Sequence, residues 1–385
     1  MHRKYGPLVR IAPDELSIMT DGEDWKLIYG TRPGHGQKQK DARFYQAAID
    51  DYPNIILSND VNHARMRRLL SHAFSESSLR GQGPIIGSYV NLLIQRLHDV
   101  AQNGARSVDL VPWFNYTTFD IIGDLAFGEP FNCLQGSRFI KEKIAARMKR
   151  QNDRPDFFAK ILKDSSSTKD FFQRELEANA EVLIVAGSET TATLLSGAVY
   201  LLLKNPDALT KLKTEVRDAF KSEEKITLES CNRLAYPRAV LTESLRMYPP
   251  VPIGLPRIID AQGEVVAGDW LPGGTIVSIP HFANYHSETN FRHADKFIPE
   301  RHLDDPRFIS DRKEVLQPFS FGPRNCIGRN LANIEMRLIL CKVVFNFDME
   351  LAEPQIDWMD QNAYAFWEKQ PLMVRLLPRN QTINK

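Results

Sequence analysis

One cysteine in the C-terminal part of the chain lies in a glycine-rich loop and has the surroundings of a metal ligand. Cys326 stands between Gly322 and Gly328, and the residues after it repeat apolar side chains at helical spacing, beginning with Leu331 and Ile334. The sequence therefore predicts that Cys326 lies just before a helix. Unpaired backbone N–H groups at a helix start favour a thiolate, the form of cysteine that binds iron. The simpler alternative is a buried, inert cysteine in a turn.

A polar cluster interrupts the longest helical pattern of the sequence, which runs from Glu175 to Lys204. The cluster is Ser-Glu-Thr-Thr at 188–191, and apolar turns follow it. Burying such side chains without partners costs free energy, so the pattern indicates a polar function or an internal partner. The alternative is that the hydroxyls bond to carbonyls one turn earlier and bend the helix.

Two pairs of polar side chains are predicted to share a helical face. His63 and Arg67 are four residues apart, and Glu243 and Arg246 are three apart. A basic run is usually solvated, and an exposed Glu–Arg pair contributes less than about 1 kcal/mol to stability. Spacing alone therefore gives neither pair a function.

The loop around Cys326 is similar to the haem-binding loop of the cytochrome P450 family. The spacing Phe-x-x-Gly-x-Arg-x-Cys-x-Gly is met by Phe319, Gly322, Arg324, Cys326 and Gly328. The resemblance implies haem b as the cofactor, with Cys326 as the axial iron ligand, Arg324 against a haem propionate and Phe319 beside the sulfur. Gly322 and Gly328 would let the chain pass close to the flat ligand. Electron donation from the thiolate helps to cleave the O–O bond of dioxygen.

The polar cluster of the long helix resembles the distal helix motif of the same family. The resemblance implies that Thr190 is a catalytic residue that delivers protons and that Glu189 belongs to the same relay. Ala186 lies one turn before Thr190 on the same face. With Gly187, its small side chain is expected to leave room for dioxygen beside the cofactor.

The two polar pairs also match positions of the family. Glu243 and Arg246 match a buried Glu-x-x-Arg pair, which Arg301 of a Pro-Glu-Arg segment completes in order to support the cysteine loop. His63 and Arg67 match residues that face the propionates, because a buried haem carries two carboxylates that need donors. The resemblance thus assigns a structural role to the first pair and a cofactor-binding role to the second.

The implied substrate pocket combines segments that are far apart in the sequence. Residues 251–255 are expected to follow the pocket edge, with Arg257 beside them as a further propionate partner. The apolar loop 54–58 often lines the pocket in the family, and a merely buried loop is the alternative. The implied pocket residues are Val182, Ile55, Val251, Ile253 and Phe366.

The composition is that of a globular protein. Apolar residues make up 43% and charged residues 25% of the 385 residues, and the formal net charge of +1 gives no indication of nucleic-acid binding. The four cysteines show no paired spacing, as expected in a reducing compartment. The length alone suggests two or three domains, whereas the resemblance implies a single cytochrome P450 domain over residues 1–385.

The expected fold is mainly α with small β-sheets. The chain starts on sequence that should be folded, without the N-terminal membrane anchor of eukaryotic family members, so it is expected to be N-terminally truncated. The family implies the membrane face of the endoplasmic reticulum, and a cytoplasmic location stays open. Residues 133–177 are too few for the three helices expected there, which need about 50 residues. The lid over the pocket is therefore expected to be shortened.

The resemblance is closest to fungal monooxygenases of secondary metabolism, of the trichothecene or isotrichodermin hydroxylase type. It implies hydroxylation or epoxidation of a small hydrophobic terpenoid or polyketide with O₂. Electrons should come from NADPH through a separate cytochrome P450 reductase, for which Arg68 and Lys342 are candidate docking cations. The alternatives are a non-catalytic or uncoupled haem protein, or truncated gene product, and a thiolate-haem isomerase or peroxygenase.

Overall fold

The fold is known from a computed structural model that describes residues 1–32, 36–45, 54–134, 169–353 and 357–379, with side chains of the long helix described from residue 174. Helices form most of these residues, and short strands lie at the edges. The helices are α1 (His2–Tyr5), α2 (Asp24–Tyr29), α3 (Asp60–Ser71), α4 (Glu76–Gly81), α5 (Gly83–Ala101), α6 (Leu110–Phe127), α7 (Lys169–Lys204), α8 (Pro206–Ala219), α9 (Leu228–Cys231), α10 (Ala235–Met247), α11 (His281–Tyr285) and α12 (Arg329–Asn346). The strands are β1 (Leu8–Ala12), β2 (Glu15–Ile18), β3 (Ser107–Asp109), β4 (Arg257–Ile258), β5 (Glu264–Val266), β6 (Asp269–Leu271), β7 (Ile276–Ser278), β8 (Phe347–Leu351) and β9 (Met373–Pro378).

Helix α7 is the central element of the core. It packs along α6 and also contacts α8, α10 and α12. Residues 191–202 are all buried, and Leu195, Ala198 and Leu202 are fully so. Each large apolar side chain buried in this way contributes about 1.5–3 kcal/mol. The segment Arg174–Lys204 is long and apolar enough to cross a membrane, but 67% of its apolar window is buried inside the protein, as in the core helix of a globular fold.

Three small sheets surround the helices. The first has the strand order β1-β2-β7-β4, the second β3-β9-β8, and the third is the β5-β6 hairpin. The N-terminal strands β1 and β2 pair antiparallel around the Pro13–Asp14 turn. Strands β5 and β6 pair only with each other, whereas β7 pairs with β2 and β4 in the first sheet.

Local sequence explains where several helices start. Asn59 caps α3 by accepting a hydrogen bond from the backbone N–H of Asn62, and Asp109 caps α6 in the same way. The mainly α fold class with small sheets is confirmed. Most of the interval 133–177, where the lid is predicted to be shortened, lies outside the described residues.

Candidate active site

The cysteine loop is a tight turn that leads into α12. A single 3₁₀ turn spans Gly322–Arg324, and the N–H of Cys326 donates to the carbonyl of Phe319 at 2.8 Å. Gly322 has a left-handed φ of 75°, and a Cβ there would lie 2.1 Å from the carbonyl oxygen of Tyr29. Glycine is therefore required at 322 by the neighbouring backbone as well as by the turn. Gly328 is the N-cap of α12, so the predicted placement of Cys326 just before a helix is confirmed.

The environment of the Cys326 sulfur differs from the sequence expectation. The side chain is accessible to solvent, yet the surrounding protein raises the pKa of its thiol by desolvation. The N–H groups of Gly328 and Arg329, and the cations Arg67 and Arg329, oppose this shift without overcoming it. The N–H groups at the helix start thus favour the thiolate, as expected, but desolvation outweighs their effect. A metal cation would reverse the balance, because coordination deprotonates a thiol.

Arg324 is held by three contacts and keeps one donor free. Its Nη2 donates to the carbonyl of Ser58 at 2.9 Å and to Asp60 Oδ1 at 2.8 Å, and its Nε donates to Gln37 Oε1 at 3.1 Å. Nη1 is buried and has no hydrogen-bond partner among the described residues. A buried guanidinium N–H without an acceptor is costly, so Nη1 is suited to an anionic group of a ligand.

Lys40, which the sequence analysis missed, lies close to Arg324. Desolvation, together with the charges of Arg324 and Arg257, lowers the pKa of Lys40 to about 7 against the opposing charge of Asp60. Its only sequence signal is a short basic run at 38–40. Burial is the main cause of this shift, and the two arginines nearby add to it.

His63 and Arg67 occupy neighbouring turns of α3, as predicted, but they are not equivalent. His63 is buried, and desolvation together with the charges of Arg324 and Arg67 lowers its pKa to about 4, so its ring is neutral near pH 7. Arg67 donates from Nη1 to the carbonyl of Asn325 at 2.6 Å and from Nη2 to the Asn325 side chain. Arg67 thus ties α3 directly to the residue before Cys326.

Arg257 completes a group that we call the cation cluster: Lys40, Arg67, Arg257 and Arg324, with the neutral His63 beside them. Its guanidinium donates to the hydroxyl of Tyr45 at 2.9 Å and lies 5.2 Å from the ring centroid of Tyr29. Asp60 is the carboxylate that acts on Lys40 and His63. The cluster therefore has the charge expected of a site for an anionic ligand.

The hydroxyls of the polar cluster of α7 bond to carbonyls one turn earlier in the helix, which is the alternative to a polar function. The hydroxyl of Thr190 donates to the carbonyl of Ala186 at 2.7 Å, and the hydroxyl of Ser188 donates to that of Ile184 at 2.7 Å. The hydroxyl of Thr118 on α6 donates to the carbonyl of Ser188 at 3.0 Å. These bonds use carbonyls in the middle of the helix, a known cause of bending.

Two small residues beside this cluster have different surroundings. Ala186 is exposed, and the adjacent Val185 is 51% exposed, although α7 is otherwise a core helix. A Cβ on Gly187 would instead lie 3.0 Å from the side chain of Ile122 on α6. Gly187 therefore allows α6 and α7 to pack closely, which corrects the expectation that it leaves room for dioxygen. Ala186 keeps the position expected of it, on an accessible face.

Glu189 has a partner that the sequence analysis missed. The ammonium of Lys369 forms an ion pair with Glu189 Oε1 and donates to the hydroxyl of Thr193 at 2.8 Å. The same hydroxyl donates to Glu189 Oε1 at 3.3 Å. Lys369 precedes β9 in a segment without helical periodicity, so no sequence pattern indicates the contact.

The predicted Glu-x-x-Arg pair is buried and joined by a second arginine. Glu243 accepts bonds from Arg246 at 2.7 and 2.9 Å and from Arg301 Nε at 3.0 Å, and all three side chains are fully buried. Burial raises the carboxyl pKa, but the charge and hydrogen bonds of Arg246, with a bond from His302 and the charge of Arg301, hold the pKa of Glu243 at about 2. The exposed-pair alternative is therefore excluded.

This buried group supports the segment that precedes the cysteine loop. Arg246 also donates to the carbonyls of Tyr285 and Ala294, at 2.7 and 2.6 Å. Arg301 also forms an ion pair with Asp311 through its Nη1 atom. Because the bonds join α10 to residues 285–311, they fix the chain shortly before the loop at 319–328.

The predicted pocket residues lie in four segments. Ile55 is buried, and its N–H donates to the Asn179 side chain on α7 at 2.9 Å, so this loop contacts the turn before Val182. Val251 and Ile253 lie between α10 and β4, Phe366 lies before β9, and all three are partly exposed. A separate open cavity of about 1380 Å³ beside α1 and α11 includes none of the pocket residues.

Of the two candidate docking cations, one is unsuitable. Arg68 is exposed on α3. The Lys342 side chain is only 5% exposed, and its ammonium pairs with Glu223 at 3.1 Å and bonds to Asn91. The expectation that Lys342 helps to dock a reductase is therefore wrong, because the charge is buried and already paired.

Comparison with known proteins agrees with this geometry. The sequence model of cytochrome P450 matches residues 1–149 and 137–374, two overlapping parts that together include every site residue named above. The cytochrome P450 monooxygenase lcsI of Purpureocillium lilacinum is 39% identical over 431 residues, which covers 98% of this chain and 83% of the relative.

Two other fungal relatives match to a similar extent. The averantin hydroxylase of Dothistroma septosporum is 39% identical over 430 residues, with 98% of this chain and 81% of the relative covered. The cytochrome P450 monooxygenase tpeC of Talaromyces stipitatus is 43% identical over 432 residues, with 99% and 84% covered. With an accessible cysteine in the loop of the expected spacing, a buried Glu–Arg–Arg group and these matches, the chain belongs to the cytochrome P450 family.

Proposed function

We propose that this protein is a haem-dependent monooxygenase of fungal secondary metabolism that inserts one oxygen atom of O₂ into a small hydrophobic molecule. The observation that carries the proposal is the accessible thiol of Cys326 in a loop of the family's spacing, with cationic side chains close to it. The relatives are named monooxygenases or a hydroxylase. No observation favours the non-catalytic alternative.

The residues present fit an iron porphyrin with two carboxylates. Cys326 supplies an accessible sulfur, and the buried Nη1 of Arg324 supplies a donor that lacks an acceptor. Lys40 and Arg257 add positive charge beside Arg324. Two propionates would balance this excess charge, so we assign the cation cluster to propionate binding and Cys326 to the iron. His63, being neutral, would contribute a hydrogen bond or packing rather than charge.

When bound, haem supplies the redox chemistry that activates dioxygen. The chain itself has to exclude water, orient the substrate and deliver protons. We assign proton delivery to the hydroxyl of Thr190 and to the carboxyl of Glu189, on the α7 face that includes the exposed Ala186. Val182, Ile55, Val251, Ile253 and Phe366 would hold a hydrophobic substrate, a terpenoid or polyketide by analogy with the family.

The electron donor and the location follow from the family rather than from a contact. We propose that NADPH supplies electrons through a separate cytochrome P450 reductase. Arg68 is an exposed cation on α3, the helix that Arg67 ties to the cysteine loop. We also propose that the protein works at the cytoplasmic face of the endoplasmic reticulum, since members of the family are often membrane-associated.

We further propose that the stretch between Cys133 and Glu177 is shorter than in the relatives. The family match breaks and restarts within 137–149, and the alignment with lcsI spans 431 positions although the chain has 385 residues. The lid over the pocket would then be incomplete, and a lid excludes water and retains substrate. Comparing the transcript with its genomic locus would show whether coding sequence has been skipped near codons 135–152.

The proposed activity has a direct test. Purified protein with hemin should give the reduced, CO-bound spectrum of a thiolate-ligated haem. With reductase, NADPH and a panel of terpenoid and polyketide substrates, it should form an oxygenated product. Loss of NADPH to peroxide without product from any substrate would contradict the proposal and support the uncoupled alternative. Turnover without reductase would indicate an isomerase or peroxygenase.

Lys40 should make haem binding depend on pH. Because its pKa is about 7 in the protein without haem, bound propionates favour the ammonium, and binding takes up a proton above pH 7. Hemin affinity is expected to fall as the pH rises from about 7 to 9, by up to about tenfold per pH unit. Lys40→Arg, which stays charged, should remove this contribution.

Hemin titrations of the apoprotein, followed by absorbance, would measure the difference between the two proteins. The difference is the relevant quantity, because release of the Cys326 proton on coordination affects both equally. Identical pH profiles for wild type and Lys40→Arg would contradict the assignment of Lys40 to propionate binding.

Thr190→Ala should uncouple NADPH consumption from product formation. The variant loses the hydroxyl to which we assign proton delivery, and a positioned proton donor contributes about 10²–10⁴-fold to rate. Product per NADPH should fall and peroxide should rise, whereas Thr190→Ser should retain coupling. Thr210→Ala is a matched control, since that exposed hydroxyl makes the same bond, to the carbonyl of Pro206 at 2.8 Å. Unchanged coupling in Thr190→Ala would contradict the assignment.

A further inference from the structure

The side chain of Lys369 is buried, so its positive charge requires a partner. It is only 7% exposed, whereas that of Glu189 is 29% exposed. A buried ammonium is costly unless a carboxylate and further acceptors satisfy it. Glu189 and the hydroxyl of Thr193 supply these contacts. The ammonium of Lys369 is therefore bound by side chains of α7.

The backbone around Lys369 is well anchored. The indole N–H of Trp367 donates to the carbonyl of Pro249 at 2.7 Å, and its ring stacks on Tyr248 with centroids 4.8 Å apart. Met373 begins β9 only four residues after Lys369. The ammonium is thus presented to α7 from a fixed neighbouring segment rather than from a long flexible loop.

Glu189 and Thr190 lie on opposite sides of the line through Ala186 along α7. At 100° per residue, Glu189 lies about 60° to one side of Ala186 and Thr190 about 40° to the other. Val185, 51% exposed, lies on the same side as Glu189. The ion pair with Lys369 therefore occupies the Glu189 carboxylate on the side of Ala186 opposite Thr190.

We propose that Lys369 is a positioning residue that holds Glu189 away from Thr190 and thereby controls when Glu189 takes part in proton delivery. The proposal rests on the proposed monooxygenase function. In a coupled turnover, O₂, two electrons, two protons and substrate R–H give R–OH and water. In an uncoupled turnover the same electrons and protons give hydrogen peroxide. Lys369 would influence the choice between them by restricting the supply of protons through Glu189.

The experiment compares Lys369→Met and Lys369→Arg with wild type, alone and in a Glu189→Gln background. Lys369→Met is expected to change product per NADPH by about threefold or more relative to wild type. Lys369→Arg, which keeps the positive charge, should have the wild-type ratio. In the Glu189→Gln background, Lys369→Met should have no further effect on coupling, because the partner it acts through is gone. The kinetic solvent isotope effect should follow the same pattern.

Two controls separate the possible failures. Lys211→Met removes the ammonium of a mostly exposed ion pair with Glu300 and should leave coupling unchanged. If wild type shows the thiolate spectrum but forms no product, the proposed function fails. If wild type is active and Lys369→Met has the coupling ratio of wild type, or its effect adds fully to that of Glu189→Gln, the positioning role of Lys369 is overturned.

Discussion

Replacing Cys326 by serine is expected to abolish the thiolate-type spectrum and to reduce the affinity of the protein for haem by more than about 100-fold. A change in the shell around a metal site already costs about 10–100-fold in affinity, and serine removes the ligand itself. The measurement is the reduced, CO-bound difference spectrum of purified protein after hemin is added. Monooxygenase activity should be lost with the spectrum.

Another cysteine provides the matched control. Cys133 lies after α6 and is only partly buried, and Cys133→Ser should retain both the spectrum and hemin affinity. Circular dichroism should show that the Cys326→Ser protein is folded, because Cys326 is exposed and serine has nearly the same size. An unchanged spectrum in Cys326→Ser would remove the basis for the proposed function.

Replacing Glu243 by alanine is expected to destabilise the fold by about 3–5 kcal/mol. The change leaves the guanidiniums of Arg246 and Arg301 buried without their carboxylate, and breaking a buried pair in this way has costs of that size. Since domains are stable by about 5–15 kcal/mol, the substitution should remove a large part of the total stability. Denaturant unfolding, with the fraction of haem retained, would measure the effect.

The exposed pair of Arg96 and Asp99 is the control. It has the same three-residue spacing, with 39% and 55% of the side chains exposed, and Asp99→Asn should cost less than about 1 kcal/mol. Equal effects of the two substitutions would show that burial of the Glu243 group contributes nothing.

Acid should also weaken the Glu243 group. The pKa of Glu243 is about 2 in the folded protein against an ordinary value of 4.5. The group therefore contributes stability above about pH 4.5, and this contribution is lost as the pH falls through 4.5 towards 2. Glu243→Gln should show a shallower loss of stability over this range.

The features that could be predicted from the sequence depend on residues close together in the chain. The spacing around Cys326 indicated the loop and the helix after it, and the apolar run from Glu175 to Lys204 indicated α7. Both depend on local backbone geometry, which neighbouring residues determine. The Glu243–Arg246 pair was also local, although only the family pattern indicated that it would be buried and joined by Arg301.

The predictions that the structure corrects concern residues whose surroundings include side chains from distant parts of the sequence. Gly187 was expected to leave space, but Ile122 of α6 packs against it. Lys342 was expected at the surface, but it is paired inside. The pairing of Glu189 with Lys369 joins residues 180 positions apart, and no periodicity links such positions.

The sequence by itself determined which side chains are present and which of them share a turn or a helical face: the cysteine in its loop, the polar cluster of α7 and the Glu-x-x-Arg pair. Only the tertiary structure decided their charge states and partners. Burial raises the thiol pKa of Cys326, leaves His63 neutral and brings Lys40 close to losing its proton. Desolvation and Coulomb forces depend on distances in space, and folding sets those distances between residues far apart in the chain.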